Sequence, residues 1–222
     1  MTASETSSRP FDAVLCDLDN VIRFYDMAPL AELERAVGLT EGATAKAAYA
    51  PEVDLPLLLG KITKEAWVDS IASELSDQIP LTQARDLGMA LANAPFQADD
   101  VVVAMLRRVR GHMPLVLVTN ATLELERDLE SMGLADLADH VVSSARVGVA
   151  KPDQAIYEIA AERAGVAAHR CLFVDDRWEN VETAVSLGMT GVHYQGPTDL
   201  EVLLDSLPGD GDLPEGSRDI LV

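Results

Sequence analysis

Two aspartates, Asp17 and Asp19, stand two residues apart in the segment FDAVLCDLDNVI. The residues before Asp17 are mostly apolar and predict a buried strand, so the pair follows directly after a strand end. Side chains two residues apart on an extended segment point the same way, which brings the two carboxylates together. Neighbouring carboxylates repel and are stable together only when one is protonated or when they share a cation. The spacing therefore indicates a site for a cation or a shared proton.

Two further acids, Asp175 and Asp176, follow another apolar run, RCLFV, and Lys151 lies in GVAKPD just before a predicted helix. Ligands of open parallel sheets bind beyond the carboxyl ends of the strands, so these residues are expected at one edge with the first pair. Four acids with one lysine favour a hard divalent ion with oxygen ligands. Mg²⁺ suits few carboxylates combined with water and a substrate phosphate.

A hydroxyl and an amide follow the apolar run PLVLV, at Thr119 and Asn120. A helix predicted to begin near Thr122 would present free backbone N–H groups beside these side chains, and together they form a plausible phosphate cradle. The ammonium group of Lys151, at the start of the next helix, can reach a phosphate or an aspartate as a point charge.

The formal net charge of −20 argues against a nucleic-acid partner, because the phosphate backbone would be repelled. A small anionic substrate remains compatible with this charge if its site is made locally positive by a metal ion, a lysine and helix N-termini. We therefore expect a small phosphorylated metabolite as the partner.

Five apolar runs predict strands, and helical patterns alternate with them. The strands are expected at 11–17, 114–119, 140–143, 170–175 and 190–194, and the helices at about 98–110, 122–132, 153–164 and 178–187. Such alternation is typical of βαβ units and a parallel sheet. The predicted fold is α/β, with a Rossmann-like parallel sheet core and helices on both of its faces.

Residues 23–95 interrupt this alternation. They contain no convincing strand, but helical patterns cover 29–37, 63–75 and 82–92. A segment of this length is too long for a loop and predicts an inserted all-helical cap domain over the sheet. The expected organisation is a flexible N-terminus at 1–10, a catalytic core at 11–22 and 96–206 with a last helix at 199–206, a cap at 23–95, and an acidic flexible tail at 207–222.

No apolar stretch approaches the ~20 residues that span a bilayer, and no basic segment followed by an apolar run marks a secretory signal. We expect a cytoplasmic protein without a membrane partner. The oligomeric state and the natural substrate are left open by the sequence.

The motifs D-x-D-x-V, T-N, K-P-D and D-D, in this order along the chain, resemble the four motifs of the haloacid dehalogenase-like (HAD) superfamily. The resemblance covers residues 11 to about 195, with 23–95 in the place of that superfamily's helical cap. Each motif alone is short and unspecific. Four in the right order, each at a predicted strand end or helix start, make the resemblance specific.

The resemblance implies a phosphatase that forms an aspartyl-phosphate on Asp17, which splits one difficult step into two. Asp19 would protonate the leaving oxygen and then activate the water that hydrolyses the intermediate. Charge on the transferring oxygens would be stabilised by Thr119, Asn120 and Lys151. Mg²⁺ would be held by the carboxylate of Asp17, the backbone carbonyl of Asp19 and Asp176, with Asp175 close or bridged by water.

Other activities stay open at this point. A sugar phosphomutase runs the same phosphoryl transfer, and a metal-free 2-haloacid dehalogenase uses the same nucleophile on carbon. Dehalogenases lack an aspartate two residues after the nucleophile, so Asp19 argues against that activity. A receiver-like phosphate-binding module is a third alternative, although receiver domains lack a helical insertion.

Five side chains in or near the motifs also have open roles. Either Asp175 or Asp176 could ligate the metal directly. Asn20 either supports the turn or adds a hydrogen bond, Arg23 is either a substrate contact or a surface residue, and Asn180 either supports the metal site or caps a helix.

Overall fold

The computed structural model describes residues 10–201 together with residues 203 and 207. These residues contain seven strands and ten α-helices. The strands are β1 (Ala13–Cys16), β2 (Arg23–Tyr25), β3 (Phe96–Ala98), β4 (Leu115–Thr119), β5 (His140–Ser143), β6 (Cys171–Asp175) and β7 (Thr190–His193). The helices are α1 (Ala28–Ala36), α2 (Ala43–Ala48), α3 (Pro51–Leu58), α4 (Lys64–Leu75), α5 (Leu81–Ala92), α6 (Asp100–Arg110), α7 (Leu125–Ser131), α8 (Ser144–Val147), α9 (Gln154–Ala164) and α10 (Trp178–Ser186).

Five of the strands form one parallel sheet in the order β5-β4-β1-β6-β7. The central strand β1 pairs with β4 on one side and β6 on the other, so that Cys16 lies beside Leu117 and Val174. Every residue of these three strands is buried. Burial on both faces explains why they are continuous apolar runs rather than alternating ones. The carboxyl ends of the strands therefore meet at one edge.

Helices cover both faces of this sheet, as the sequence predicts. On one face, α6 and α7 pack against alternate strand residues such as Val14 and Leu117. On the other face, α9 and α10 pack against the intervening residues, such as Leu15 and Phe173. The α/β fold with a Rossmann-like parallel sheet is thus confirmed.

Helices α1–α5 form an insertion between β1 and β4 with a hydrophobic cluster of its own. Trp67, Ile71 and Leu75, at helical spacing on α4, belong to that cluster. The insertion is helical except where the chain enters and leaves it, at β2 and β3, which pair as an antiparallel ribbon. The sequence shows no strand in 23–95 because three residues at β2 are too few to produce an alternating pattern. The role of the insertion as a cap, and the domain boundaries, stay predictions.

Two helix limits differ from the expected ones. The helix after β4 begins at Leu125 instead of near Thr122, because the Thr122 hydroxyl accepts a hydrogen bond from the backbone N–H of Glu124 (3.2 Å) in a turn that precedes the helix. At the end of the chain a 3₁₀ helix covers Pro197–Leu200. The remainder of the predicted last helix, the tail at 207–222 and the N-terminus at 1–10 lie largely outside the described residues. None of the described helices combines the length and apolarity that crossing a membrane requires.

Candidate active site

Asp17 is the first residue after β1 and lies at the carboxyl edge of the sheet. Its backbone N–H donates to the carbonyl of Val174 on the neighbouring strand (2.9 Å), which holds the residue in line with the sheet. The carboxylate oxygen Oδ1 accepts a hydrogen bond from the backbone N–H of Leu18 (2.7 Å) and lies 2.7 Å from Lys151 Nζ. Burial raises the pKa of the Asp17 carboxyl to about 7, an increase that Lys151 opposes and Asp175 strengthens.

Lys151 bridges two buried carboxylates. Its Nζ lies 2.7 Å from Asp17 Oδ1 and 2.6 Å from Asp175 Oδ2, and its side chain is only 1% exposed. Burial alone would lower the pKa of Lys151, but the charges of Asp17 and Asp175 outweigh burial and raise it. The ammonium group is therefore charged at neutral pH and serves both acids.

Asn120 holds the main chain of Lys151. Asn120 Oδ1 accepts a hydrogen bond from the Lys151 N–H (2.7 Å), and Asn120 Nδ2 donates to the Lys151 carbonyl (2.9 Å). These two bonds join segments 31 residues apart and set the position from which the lysine side chain reaches Asp17. The Asn120 amide is thus engaged with protein, and the Ala121 N–H donates to the Ser144 hydroxyl (3.0 Å), so the phosphate cradle expected from these groups stays a prediction.

Asp175 and Asp176 have different surroundings. Both oxygens of Asp175 are engaged, Oδ2 with Lys151 and Oδ1 with the backbone N–H of Arg177 and with Asn180 Nδ2, each at 2.9 Å. Asn180 therefore supports the acidic site through a hydrogen bond, one of the two roles left open by the sequence. Asp176 is partly exposed, and burial raises the pKa of its carboxyl.

Asn20 combines the two roles considered for it. Its backbone φ of 60° lies in the left-handed region, which Asn tolerates better than most residues. Its Nδ2 donates to Asp176 Oδ2 (3.0 Å), which ties the turn after β1 to the acid after β6.

Three carboxylates converge at this edge of the sheet. One oxygen from each of Asp17, Asp175 and Asp176 lies within 4.8 Å of the other two. With Lys151 between them, the group carries a formal charge of −2 when all three acids are ionised, from three negative charges and one positive charge. A compact set of hard oxygen donors with this charge fits Mg²⁺.

Asp19 does not belong to this carboxylate cluster. Its carboxylate is held by the guanidinium group of Arg23, with Nε 2.6 Å from Oδ1 and Nη2 3.0 Å from Oδ2. The two aspartates thus have separate cationic partners, Lys151 for Asp17 and Arg23 for Asp19, although burial and, to a lesser extent, the charge of Asp19 both raise the pKa of Asp17.

Arg23 is buried, and its guanidinium group already contacts two carboxylates. It is therefore not a surface residue, and its whole guanidinium group is not available for a substrate contact. Its side chain is 4% exposed, and its Nη1 lies 2.8 Å from Asp128 Oδ2 on α7. Sequence reasoning did not identify Asp128, which is 105 positions from Arg23 and carries no local motif.

Thr119, the last residue of β4, is buried, and its hydroxyl has no hydrogen-bond partner among the described residues. A buried hydroxyl without a partner is uncommon in native proteins. A phosphate oxygen would satisfy it, which fits the phosphate-binding role predicted for this residue.

A family model described as haloacid dehalogenase-like hydrolase matches residues 11–188. Among curated proteins, Phosphatase MT3486 of Mycobacterium tuberculosis is 29% identical over 191 residues, which is 80% of this chain and 84% of that protein.

Solved structures share the fold. A HAD family enzyme of Bacteroides thetaiotaomicron, crystallised with magnesium and inorganic phosphate, superposes with a TM-score of 0.63 at 18% identity, over 82% of this chain and 92% of that one. The L-2-haloacid dehalogenase of Xanthobacter autotrophicus, with chloropropionic acid covalently bound, superposes with a TM-score of 0.59 at 20% identity, over 82% and 76% of the two chains. At such identities the likeness shows the fold alone, and this fold carries more than one chemistry.

Proposed function

Since the chain belongs to the haloacid dehalogenase-like hydrolases, we propose that it is a Mg²⁺-dependent phosphatase that hydrolyses a small phosphomonoester through an aspartyl-phosphate on Asp17. The observation that carries the proposal is the cluster of Asp17, Asp175 and Asp176 around the buried ammonium of Lys151. Similarity to a mycobacterial phosphatase over most of both chains supports it.

The surroundings of Asp17 suit a nucleophile. The hydrogen bond from Leu18 and the contact with Lys151 both go to Oδ1, so in the described part of the chain Oδ2 is left for attack on phosphorus. The new Oδ2–P bond forms as the P–O bond to the leaving group breaks, and Asp19 gives its proton to the departing oxygen. Asp19 then takes a proton from water, which attacks the aspartyl-phosphate and releases inorganic phosphate.

Lys151 and Thr119 supply polar groups for the transferring phosphoryl oxygens. The ammonium group is already held at Asp17 by the hydrogen bonds of Asn120 to its main chain, so no reorganisation is needed when charge develops. The Thr119 hydroxyl, buried without a partner in the described structure, is available to donate to one phosphoryl oxygen.

We assign Asp17 and Asp176 as the carboxylates that hold Mg²⁺ directly, with the backbone carbonyl of Asp19. Asp175 is the weaker candidate because both of its oxygens already accept hydrogen bonds or contact Lys151. Mg²⁺ held by these groups would supply positive charge against the negative charge of the phosphoryl oxygens.

The experiment is phosphate release from p-nitrophenyl phosphate by the purified protein, with Mg²⁺ or with EDTA. We expect turnover with Mg²⁺, none with EDTA, and a loss of at least about 10³-fold in Asp17→Asn. Asp12→Asn is the matched control, because Asp12 lies just before the other end of β1 and pairs with Arg170. It should retain activity.

A parallel assay measures chloride release from 2-chloropropionate without metal. Chloride release that requires Asp17, in a protein that leaves phosphate esters intact, would establish a dehalogenase and refute the proposal. Interconversion of sugar phosphates without net phosphate release would establish a phosphomutase instead.

A further inference from the structure

Tyr25 presents an aromatic ring to solvent directly beside the site. The guanidinium carbon of Arg23 lies 5.1 Å from the centre of this ring, and the same guanidinium group holds Asp19, with 2.6 Å between Nε and Oδ1. The ring also meets Phe96 of β3 edge to face at 5.6 Å. These two contacts fix the ring, and Tyr25 is nevertheless 40% exposed. The proposed mechanism gives this fixed, exposed ring no role.

Tyr49 brings a second aromatic ring to the same neighbourhood from the helical insertion. It directly follows α2 and is 58% exposed. Burial still raises the pKa of its hydroxyl, and the charges of Asp54 and Asp19 add to the rise. Burial likewise raises the pKa of the Tyr25 hydroxyl, and Asp19 and, more weakly, Tyr49 add to it. Both tyrosines thus lie near Asp19, with exposed side chains and partly desolvated hydroxyls, which is the combination that a cleft produces.

The insertion meets the core on two sides of this cleft. Helix α3 begins two residues after Tyr49 and ends two residues before Gly60, where a Cβ would lie 2.8 Å from the carbonyl oxygen of Ala145 on α8. Burial raises the pKa of Asp54 on α3, and the charge of Arg177 opposes the rise, so these two groups are close. Ala145 follows β5 and Arg177 follows β6. Helix α3 therefore lies across the carboxyl edge of the sheet, and Tyr49 lies at one end of it.

Fixed aromatic rings favour one class of leaving group. In the proposed mechanism the leaving group departs beside Asp19, and it would therefore enter the space next to Tyr25 and Tyr49. An aromatic ring in that space gains about 2- to 10-fold in affinity from contact with another ring, beyond the gain from burying its surface. A saturated group of the same size gains only from burial.

We infer that Tyr25 and Tyr49 form a subsite for the leaving group, and that the substrates are phosphomonoesters whose leaving group carries an aromatic ring. The inference rests on the proposed function and adds a substrate class to it. The two rings distinguish one leaving group from another, whereas attack by Asp17 is common to all substrates. Loss of either ring should therefore change selectivity and leave the chemical step in place.

The test uses two phosphate esters that differ only in the ring. Benzyl phosphate carries an aromatic ring, and cyclohexylmethyl phosphate carries a saturated ring of the same size on the same linkage. Both expel a primary alcohol of similar acidity, so the ratio of their kcat/KM values cancels effects on the nucleophile, the metal and the phosphoryl group. The saturated ring is the more hydrophobic of the two. Burial of apolar surface alone would therefore favour the cyclohexylmethyl ester.

We expect the wild type to favour the benzyl ester in kcat/KM by at least about fivefold. Tyr49→Leu and Tyr25→Leu should each lower this ratio by about 2- to 10-fold, because each removes one aromatic contact. Tyr49→Phe keeps the ring and should leave the ratio within about twofold of the wild type. Phe24→Leu is the matched control, because Phe24 is an exposed aromatic residue on the same strand as Tyr25. Adjacent side chains of a strand point to opposite sides, so the control should leave the ratio unchanged.

A wild-type ratio at or below unity, a ratio that Tyr49→Leu does not change, or an equal fall in Phe24→Leu would overturn the inference. The proposed function would still stand in each case if p-nitrophenyl phosphate is hydrolysed with Mg²⁺. Failure of the wild type to hydrolyse any of the three esters would refute the proposed function and the inference together. If Tyr25→Leu does not fold, Tyr49→Leu decides alone, because its side chain is the more exposed of the two.

Discussion

Replacement of Lys151 by Met removes one charge from the centre of the site while keeping a side chain of similar length. In the wild type the ammonium group lies 2.7 Å from Asp17 Oδ1 and 2.6 Å from Asp175 Oδ2, and the three side chains are 1%, 8% and 0% exposed. Removing one partner of a buried ion pair typically costs about 3–5 kcal/mol, because a charge is left without compensation. We therefore expect a large loss of folding stability in the absence of metal.

Protonation sets an upper limit on that loss. The Asp17 carboxyl has an ordinary pKa of 3.8 and a value of about 7 in the fold, where burial raises it and Lys151 opposes the rise. Without Lys151 the pKa increases further, so the variant can fold by taking up a proton. The wild type takes up the same proton below about pH 7, so the Asp17 contribution to the deficit appears only as pH rises through about 7, where the wild-type carboxyl ionises and that of the variant does not. Above that pH the contribution should grow by at most about 1.36 kcal/mol per pH unit, to about 2.7 kcal/mol at pH 9.

The assay is urea unfolding followed by far-ultraviolet circular dichroism, in EDTA, at pH 7 and pH 9. Lys46→Met, which replaces an exposed lysine of α2, is the control and should change the unfolding free energy by less than about 0.5 kcal/mol. Added Mg²⁺ should recover part of the deficit of Lys151→Met, because the acids gain another cation. A deficit below about 1 kcal/mol at pH 9, or one that shrinks as pH rises from 7 to 9, would refute this account of the site.

Three further predictions concern the insertion and the metal. Burial raises the pKa of Asp54 to about 6 against the opposing charge of Arg177, so the folded protein favours the neutral acid and loses stability as pH rises from 4 to about 6. The full shift corresponds to about 3 kcal/mol, and solvent screening of this partly exposed carboxyl reduces it, so Asp54→Asn should be more stable than wild type by about 1 kcal/mol at pH 8 but not at pH 4, measured by urea unfolding. Gly60 has a φ of 65°, and a Cβ added there would lie 2.8 Å from the Ala145 carbonyl oxygen. Gly60→Ala should therefore lower the melting temperature more than Gly38→Ala, because Gly38 has the same kind of backbone strain (φ of 82°) without a close contact. Equal shifts in the two variants would show that the contact has no effect. Mg²⁺ at about 100 times its Kd should stabilise the wild type by about 2.7 kcal/mol in thermal unfolding. Asp176→Asn should lose most of this stabilisation at the same Mg²⁺ concentration. Equal stabilisation of the variant and the wild type would contradict the assignment of Asp176 as a ligand.

Most of the sheet could be predicted from the sequence because its strands are short apolar runs between turn residues. The runs ending at Thr119 and Asp175 are strands in the structure at the expected places, and the helices that follow them cover the two faces. Such patterns depend on local spacing and on burial of both faces of a parallel sheet. The sequence did not predict the strand at Arg23–Tyr25, because three residues are too few to show the apolar–polar alternation of a strand.

Four motifs in order were enough to predict that Asp17, Asp175, Asp176 and Lys151 meet, because each stands at a strand end or before a helix. Spacing did not reveal that Asp19 contacts Arg23 while Asp17 contacts Lys151. Spacing also did not reveal that the Asn120 side chain forms two hydrogen bonds with the main chain of Lys151.

The sequence by itself determined which residue types reach the carboxyl edge of the sheet, since strand ends and helix starts are local properties. Only the tertiary structure decided the partner of each side chain there. Arg23 meets Asp128 across 105 positions, and Asn20 meets Asp176 across 156. Contacts of that kind depend on how two distant segments are oriented by the sheet between them, and no local pattern encodes that orientation.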